Sequence, residues 1–348
     1  MAERILTQRE LNRALLARQL LLERVRLSIP RALERIGGIQ NQYAPNAYIR
    51  LWSCLEEFGR DDLTRALERR TVVQGTLMRE TIHVVSHRDY ALFAAGVRAS
   101  GQDWWRRVNK VSADLDMGVF ARRARKFLRG SVRSRADVEE FLTANDFPHA
   151  SSWGFAHWLD LIRVPPAGTW EQRRANMFAL AEEWVGVLDA TEEEGIEHLV
   201  RRYLGGFGPA SRNDVSSWSK VPTSKLSPVL ARMTLRRFSD EQGKELLDLP
   251  RAPLPDPESP APVRFLPTWD AALLVHARRS GILPEKYRAL VFSTKTPHSV
   301  GTFLVDGAVA GTWRCDRGKV ATSEFRRLPR TLRRDVREEA DRLAEFHA

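Results

Sequence analysis

The chain has 348 residues, and 43% of them are hydrophobic, which supplies apolar material for about two folded domains and excludes a disordered chain. Its 55 Lys and Arg outnumber its 44 Asp and Glu, for a formal net charge of +11. A chain this basic usually binds a polyanion, and nucleic acid is the commonest one. A genome whose base composition favours Arg would give the same excess without such a partner.

The cysteine and histidine patterns exclude further classes. Cys54 and Cys315 are far apart and lack CxxC spacing, which excludes an iron–sulfur cluster held within the chain and argues against a zinc site or a disulfide framework. No HExxH pattern occurs, so we expect neither a metal nor another cofactor. The sequence has no signal-peptide pattern and no apolar run of about 18 residues, so we expect a cytoplasmic protein without a membrane partner.

Three short segments share one pattern: a hydroxyl residue, an acidic residue three positions later, and then an aliphatic residue. They are residues 7–11, 134–138 and 211–215. This spacing is typical of a capping box, in which the hydroxyl and the carboxylate each accept a hydrogen bond from a backbone amide of the first helical turn. Each segment therefore predicts a helix start, and three copies indicate one small helical unit used three times.

The elements predicted around these starts divide the chain into winged-helix units. The first unit, residues 1–86, has helices predicted from Thr7, at 31–36 before Gly37-Gly38, at 47–58 and at 63–70, and strand-like composition at 77–79 and 82–85. The second, residues 87–190, has helices predicted at 88–99, 118–129 and 135–144, and a strand at 161–164. The third, residues 191–249, has helices predicted at 196–203, 213–218 and 224–233, a turn at 205–209, and wing strands at 235–238 and 246–249.

The C-terminal part has a different composition. Residues 250–262 contain six prolines and predict an extended linker. Strands are predicted at 289–292, 301–305 and 308–314, the last two joined by an Asp-Gly hairpin turn, and a helix at 333–346 closes the chain. The predicted fold class is therefore mainly α with small β wings: three tandem winged helix-turn-helix units and a β-rich C-terminal region, residues 263–348.

Three consecutive carboxamides, Gln40, Asn41 and Gln42, follow the glycines that end a predicted helix. In an extended segment Gln40 and Gln42 would share a face, so both amides would converge on one ligand atom. A carboxamide holds and polarises a water, but it has no titratable proton near neutrality and is a poor general base. Amides that merely bond to local backbone are the structural alternative.

Basic and polar residues on the predicted helices and wings are candidate DNA contacts. Arg79, Thr81 and His83 alternate along the first predicted wing, where they would present one polar face to phosphate or to a base. Arg135 and Arg212 occupy the first turns of two capped helices, where they would neutralise phosphates. The alternatives are a buried structural histidine and solvated helix-start arginines.

Motifs along almost the whole chain occur in a recognisable order. They include Gly-Ile-Gln-Asn-Gln at 38–42, Pro45 and Leu-Trp at 51–52, and the residues at 77–83, 203–210, 265–267, 269–270, 273–276, 278–284, 305–307 and 311–314. Together they resemble a bacterial family of winged-helix DNA glycosylases typified by AlkZ and YcaQ. The resemblance implies three winged helices around a DNA-binding concavity. It also implies monofunctional excision of bulky N7-alkylated purines and, in some members, unhooking of interstrand cross-links.

The resemblance also implies site residues. The family's catalytic motif is Gln-x-Gln or Gln-x-Asp, which Gln40 and Gln42 match, although Asn41 stands where an apolar residue is common. N7 alkylation makes the purine a cationic leaving group, so we expect Gln42 to position a water and Gln40 to orient it or to contact the deoxyribose. Lys295 and His298 lie in a hairpin region that either probes the duplex at the lesion or is an ordinary exposed loop.

Two other functions fit the same composition and architecture: a DNA-binding transcriptional regulator, and a lesion-binding protein that excises nothing. The pair Gln40 and Gln42 favours the glycosylase, because a regulator does not need it. The expected partner is double-stranded DNA with alkylated purines. We expect a monomer associated with the nucleoid.

Overall fold

The computed structural model describes residues 4–109, 115–148, 154–274, 281–293 and 298–348, which form a mixed α/β fold. Its helices are α1 (Gln8–Arg18), α2 (Ile29–Ile36), α3 (Pro45–Cys54), α4 (Arg60–Glu68), α5 (His87–Val108), α6 (Met117–Leu128), α7 (Arg135–Ala144), α8 (Phe155–Trp158), α9 (Ala181–Val185), α10 (Glu192–Phe207), α11 (Arg212–Ser219), α12 (Thr223–Arg232), α13 (Ala271–Leu274), α14 (Glu285–Val291) and α15 (Arg330–His347). Its strands are β1 (Ile5–Leu6), β2 (Ile39–Gln40), β3 (Val72–Thr76), β4 (Ile82–Ser86), β5 (Arg133–Ser134), β6 (Leu161–Arg163), β7 (Met177–Leu180), β8 (Arg236–Asp240), β9 (Glu245–Asp248), β10 (Arg264–Leu266), β11 (Phe292–Ser293), β12 (His298–Ser299), β13 (Gly301–Val305), β14 (Ala308–Asp316) and β15 (Lys319–Glu324).

The three predicted capping boxes are confirmed. Thr7, Ser134 and Ser211 are the N-caps of α1, α7 and α11, and in each the hydroxyl and the acidic residue three positions later make the reciprocal backbone hydrogen bonds. A fourth box, Thr191 with Glu194, begins α10 and has the same spacing. Each cap stabilises its helix by about 1 kcal/mol, and together they set where the helices start.

The β-ribbons of the first two predicted units form one continuous sheet. Its six strands have the order β2-β4-β3-β6-β7-β5. The two halves join where β3 pairs with β6, with Gln74 opposite Arg163 and Gly75 opposite Ile162. A Cβ on Gly75 would lie 2.6 Å from the Tyr90 ring, so glycine lets α5 pack directly on this sheet. The sequence predicted only small β wings in these units, and it did not predict β3, the strand that joins the two halves.

The strands predicted at 235–238 and 246–249 are confirmed as the antiparallel pair β8–β9, which carries an additional strand from the N-terminal segment. Ile5 of β1 pairs with Ser239 of β8 in parallel. Arg18, fully buried at the end of α1, forms a double hydrogen bond with Asp248 at 2.7 and 3.0 Å. The start of the chain, assigned to the first unit from its sequence, therefore packs against the third.

The C-terminal region is built on a four-stranded sheet with the order β10-β13-β14-β15. The predicted hairpin turn is confirmed, since Asp306 and Gly307 both have positive φ, 47° and 77°, between β13 and β14. The predicted linker, residues 250–262, contains neither helix nor strand. None of the helices in the described ranges has the length and apolar character needed to cross a membrane.

Two sequence predictions are wrong in this half of the chain. Most of 289–292 belongs to helix α14, which begins after Pro284, and only Phe292 starts a strand. Gly205 and Gly206 lie inside α10 rather than in a turn. A Cβ at Gly206 would come within 2.9 Å of the Ile36 carbonyl oxygen, so this glycine serves the close approach of α10 to α2.

Candidate active site

Two glycines turn the chain from α2 into β2. Gly37 caps α2 with a φ of 80°, and Gly38 follows with a φ of 78°, both left-handed. A Cβ at Gly38 would lie 2.9 Å from Val85 Cγ1, so any side chain there would force Val85 to shift. Glycine at both positions therefore lets residues 39–42 run directly beside β4.

Gln40 lies in β2 opposite His83 of β4, and its side chain is buried. Its Oε1 accepts a hydrogen bond of 2.6 Å from Arg79 Nη2, while Arg79 Nη1 donates to the Trp218 carbonyl at 3.2 Å. A guanidinium has only donors, so the amide oxygen must face Arg79. Burial lowers the pKa of Arg79 to about 10, so the group that holds Gln40 is still charged near neutral pH.

Gln42 is exposed and lies where the pairing of β2 with β4 ends. The Asn41 amide donates to the Ile82 carbonyl at 2.7 Å, and Gln42 Oε1 accepts from the Ile82 amide at 2.9 Å. The side-chain oxygen thus takes the place of a backbone carbonyl at the end of the ladder. Because the Ile82 N–H can only donate, the atom of the Gln42 amide that faces it must be the oxygen, which fixes this amide orientation as well.

Asn41, between the two glutamines, is buried and makes a polar connection across the sheet. Its Nδ2 donates to Gln74 Oε1 at 2.9 Å, and its Oδ1 accepts from the Ala47 amide at 3.2 Å. Gln74 in turn donates to the Gly168 carbonyl at 3.0 Å. An apolar residue at position 41 would leave the fully buried Gln74 oxygen without this partner, which explains why asparagine fits here.

His83 is buried and uncharged. Its Nδ1 lies 3.0 Å from the Thr81 carbonyl oxygen, a contact that requires the proton on Nδ1 and leaves Nε2 as an acceptor. Burial, and then the charge of Arg79, lower the pKa of His83 to about 3. His83 therefore packs beside Gln40 as a neutral imidazole at physiological pH.

The turn that carries Arg79 is strained. Arg79 and Glu80, between β3 and β4, have φ values of 55° and 59°. A left-handed conformation costs a residue with a side chain about 1–2 kcal/mol, and such conformations concentrate at functional sites. Thr81 Oγ1 donates to the Met78 carbonyl at 3.0 Å and stabilises the turn. The strained turn places the Arg79 guanidinium against Gln40.

The structure brings five of the predicted site residues together. Gln40 lies in β2 and Gln42 two residues beyond it, His83 lies in β4, and Arg79 and Thr81 lie in the turn before β4. Arg79, Thr81 and His83 do not form the alternating face that was predicted for them along a wing. Strand β4 begins only at Ile82, so Arg79 and Thr81 belong to the turn before it.

The remaining predicted contacts lie outside this cluster of hydrogen bonds. Arg135 begins α7 and pairs with Glu139 at 2.9 Å, and Arg212 begins α11 and donates to Ser227 at 3.0 Å. Both arginine side chains are exposed. Lys295 lies outside the described residues, and of His298 only the backbone, in β12, is described.

Sequence reasoning missed two groups that hold the site. Gln74 is a polar residue inside a buried strand, and nothing in its local pattern distinguishes it from a surface glutamine. The Trp218 carbonyl, at the end of α11, is a main-chain group brought to Arg79 by the tertiary fold. Only a correct prediction of strand β3 would have indicated that Gln74 is buried.

The arrangement holds two carboxamides in fixed orientations beside a buried cation and a neutral imidazole. No cluster of three His, Cys, Asp or Glu side chains able to hold a metal occurs in the described part of the chain. The two glutamine side chains can orient a water or a sugar oxygen, but they cannot remove a proton as a general base. Such a site suits a reaction whose leaving group is already activated.

Comparison with known proteins identifies the class. The sequence model of a family described as DNA glycosylase AlkZ-like matches residues 33–346. The chain therefore belongs to the AlkZ-like DNA glycosylase family and is a DNA N-glycosylase, as its sequence motifs predicted.

A solved structure is similar over the whole fold. The structure of Streptomyces sahachiroi DNA glycosylase AlkZ superposes with a TM-score of 0.80, covering 98% of this chain and 97% of that one at 18% sequence identity. At this identity the likeness concerns the fold. A search of curated protein sequences gave no match.

Proposed function

We propose that the protein hydrolyses the N-glycosidic bond of N7-alkylated purines in double-stranded DNA, with Gln40 and Gln42 as its catalytic residues. The observation that carries the proposal is that each glutamine oxygen accepts a hydrogen bond from an obligate donor, Arg79 Nη2 at 2.6 Å and the Ile82 amide at 2.9 Å. Both amides are therefore oriented before substrate binds, which is the condition for efficient positioning.

The chemistry needs little more than positioning. N7 alkylation gives the purine a positive charge, so the base leaves as a neutral molecule with the electrons of the C1′–N9 bond. A water adds to C1′ and its proton passes to solvent. Each amide oxygen has two lone pairs, so Gln42 Oε1 keeps one for a proton of that water. Gln42, the exposed member, positions the water, and the buried Gln40 orients it or contacts the deoxyribose.

The surrounding modules would supply DNA affinity. The proposed winged-helix units are 1–86, 87–190 and 191–249, followed by the linker 250–262 and the C-terminal region 263–348. Arg135 and Arg212 contact phosphates in this proposal, and the net charge of +11 attracts the duplex. One lesion requires one active site, so a monomer suffices. Bulky adducts and N7 cross-links belong to the proposed substrate class, because their leaving purines have the same charge.

The test is single-turnover release of N7-methylguanine from a duplex by wild type and by the variants Gln40→Ala and Gln42→Ala. We expect each variant to lose about 10²–10³-fold in rate, as when one positioned donor is removed from an enzyme, with DNA affinity retained. Gln242→Ala, at an exposed turn between β8 and β9, is the matched control and should keep the wild-type rate.

Binding without release on N7-methylguanine, on a bulky N7 adduct and on an N7 cross-link would overturn the proposed reaction and leave a lesion-binding protein. Full activity in both glutamine variants would instead move the catalytic site elsewhere.

A further inference from the structure

A cavity of about 350 Å³ opens beside Gln42. Its walls come from the turn and strands around β3–β4 and from α5, α7, α8 and β6 of the second predicted unit. The volume lies near the lower end of the roughly 300–1,000 Å³ typical of small-molecule sites. Arg135, a proposed phosphate contact, also lines it, so the cavity is adjacent to both the proposed catalytic residue Gln42 and the proposed DNA-binding surface.

Arg163, which is partly exposed, lies in the cavity wall. Arg163 Nε and Nη1 are buried and have no hydrogen-bond partner among the described residues. The guanidinium lies over the Phe178 ring, 5.1 Å from its centroid. Burial lowers the pKa of Arg163 to about 10, so it remains a charged donor near neutral pH. Because Arg163 is partly exposed and lines the cavity, its guanidinium offers N–H donors to an acceptor oxygen on a bound ligand.

The other walls favour a flat aromatic group. The exposed indole of Trp104 packs edge-on against His157, with ring centroids 5.7 Å apart, and Phe178 lines the same cavity. Glu80 holds the imidazole in place, because its carboxylate lies 3.0 Å from His157 Nδ1. Aromatic faces with one donor-rich cation are suited to a ring that carries a carbonyl oxygen.

We infer that this cavity binds the N7 substituent of the damaged purine, and that it selects substituents with an aromatic ring and an oxygen acceptor for Arg163. The inference rests on the proposed N7-alkylpurine activity and names the part of the substrate that the catalytic glutamines do not contact. A methyl group is too small to use the cavity, so the cavity discriminates among adducts.

The test compares three duplexes that carry N7-methylguanine, N7-benzylguanine or N7-phenacylguanine, the last having both a ring and a carbonyl. Single-turnover release is measured for wild type, for Ala175→Phe, which fills the cavity, and for Arg163→Met. Ala144→Phe, the same substitution at the exposed end of α7, is the matched control. The readout is the ratio of each bulky rate to the methyl rate.

We expect Ala175→Phe to lower both bulky-to-methyl ratios by about 10-fold or more, and Ala144→Phe to leave them at the wild-type values. Arg163→Met should lower the phenacyl-to-methyl ratio by about 10- to 100-fold, the effect of one charged hydrogen bond, and change the benzyl ratio far less. It should also keep or raise the melting temperature, because it removes a charge whose buried Nε and Nη1 make no hydrogen bond with the described residues. If Arg163 had a structural role instead, Arg163→Met would lower the melting temperature.

Equal losses on all three adducts in Ala175→Phe would overturn the inference, since they would mean that the cavity takes the purine itself. Unchanged ratios in both variants would also overturn it. If wild type releases no base at all, the proposed function fails, and the inference is decided by affinity for the same duplexes. Wild type should then bind the phenacyl duplex more tightly than the methyl duplex, a preference that Arg163→Met must abolish. Equal wild-type affinities would overturn it.

Discussion

Arg79 donates from Nη2 to Gln40 Oε1 across 2.6 Å and from Nη1 to the Trp218 carbonyl across 3.2 Å. The first bond orients an amide of the Gln-x-Gln motif, and the second anchors the guanidinium to the end of α11. Arg79, expected from sequence to contact DNA, thus has its two terminal nitrogens engaged within the protein. Its position fixes the Gln40 amide, so in the proposed reaction Arg79 is a positioning residue.

Arg79→Met should therefore slow base release while leaving DNA affinity near the wild-type value. A hydrogen bond from a charged donor contributes about 1.5–3 kcal/mol, so the single-turnover rate should fall by about 10- to 100-fold. Arg79→Lys keeps the charge but not the fork of donors, so it should recover part of the rate. Single-turnover release and equilibrium binding on the same N7-methylguanine duplex separate the two effects.

Arg334→Met removes an equally cationic side chain from the exposed face of α15 and is the control for net charge. If Arg79→Met instead binds the duplex more weakly but releases the base at the wild-type rate when DNA is saturating, the arginine contacts DNA and does not act through Gln40.

A side chain at position 38 should destabilise the fold more than one at an uncrowded glycine of similar φ. Gly38→Ala faces the left-handed φ of 78° and a contact of 2.9 Å to Val85 Cγ1, whereas Gly130→Ala faces a φ of 66° with nothing within 4 Å. The backbone cost of about 1–2 kcal/mol is common to both, and the steric clash adds about 1–3 kcal/mol at position 38 alone. Urea unfolding of the two variants measures the difference, and equal losses would contradict the packing described for β2 and β4.

Several helix starts and one hairpin turn could be predicted from the sequence because they depend only on neighbouring residues. The capping boxes at Thr7, Ser134 and Ser211 and the hairpin turn Asp306-Gly307 each depend on a few neighbouring residues, and all appear where predicted. The Gln-x-Gln pair was identified from its motif and its family resemblance. Its environment was not, because that environment depends on contacts between distant parts of the chain.

The failures have specific physical causes. Strand β3 contains Gly75, a residue type depleted in strands, and the polar Gln74 between apolar neighbours, so its composition did not indicate a central strand of the sheet. The residues Ala289 to Phe292 look like a strand in isolation, but Pro284 and Glu285 provide the helix start that decides the segment. Short apolar runs of this kind need their flanking residues to be interpreted.

His83 predicts a dependence of stability on pH. Its folded pKa of about 3 lies below the ordinary value near 6.5, so between these values the unfolded chain binds a proton and the folded chain does not. The stabilisation that comes from the neutral His83 is fully present above about pH 6.5 and is lost as the pH falls toward 3. His83 alone should account for about 2 kcal/mol of the loss between about pH 7.5 and about pH 5.

The measurement is urea unfolding of wild type and His83→Gln at both pH values. Each protein is compared with itself at the higher pH, so any packing loss caused by the substitution cancels. The variant should lose about 2 kcal/mol less than wild type on acidification. An equal loss in both proteins would mean that His83 is accessible to protons in the folded state.

The salt dependence of DNA binding tests the two helix-start arginines. Each phosphate contact contributes about 0.9 to the slope of log Kobs against log salt, so Arg135→Met and Arg212→Met should each reduce the slope by about 1. Arg201→Met, on the exposed side of α10 and paired with Glu197, removes the same charge without a proposed phosphate contact and should change the slope far less. Titration of an undamaged duplex at several salt concentrations gives these slopes independently of catalysis. If all three variants reduce the slope equally, the arginines act only through net charge, and the starts of α7 and α11 do not contact the DNA backbone.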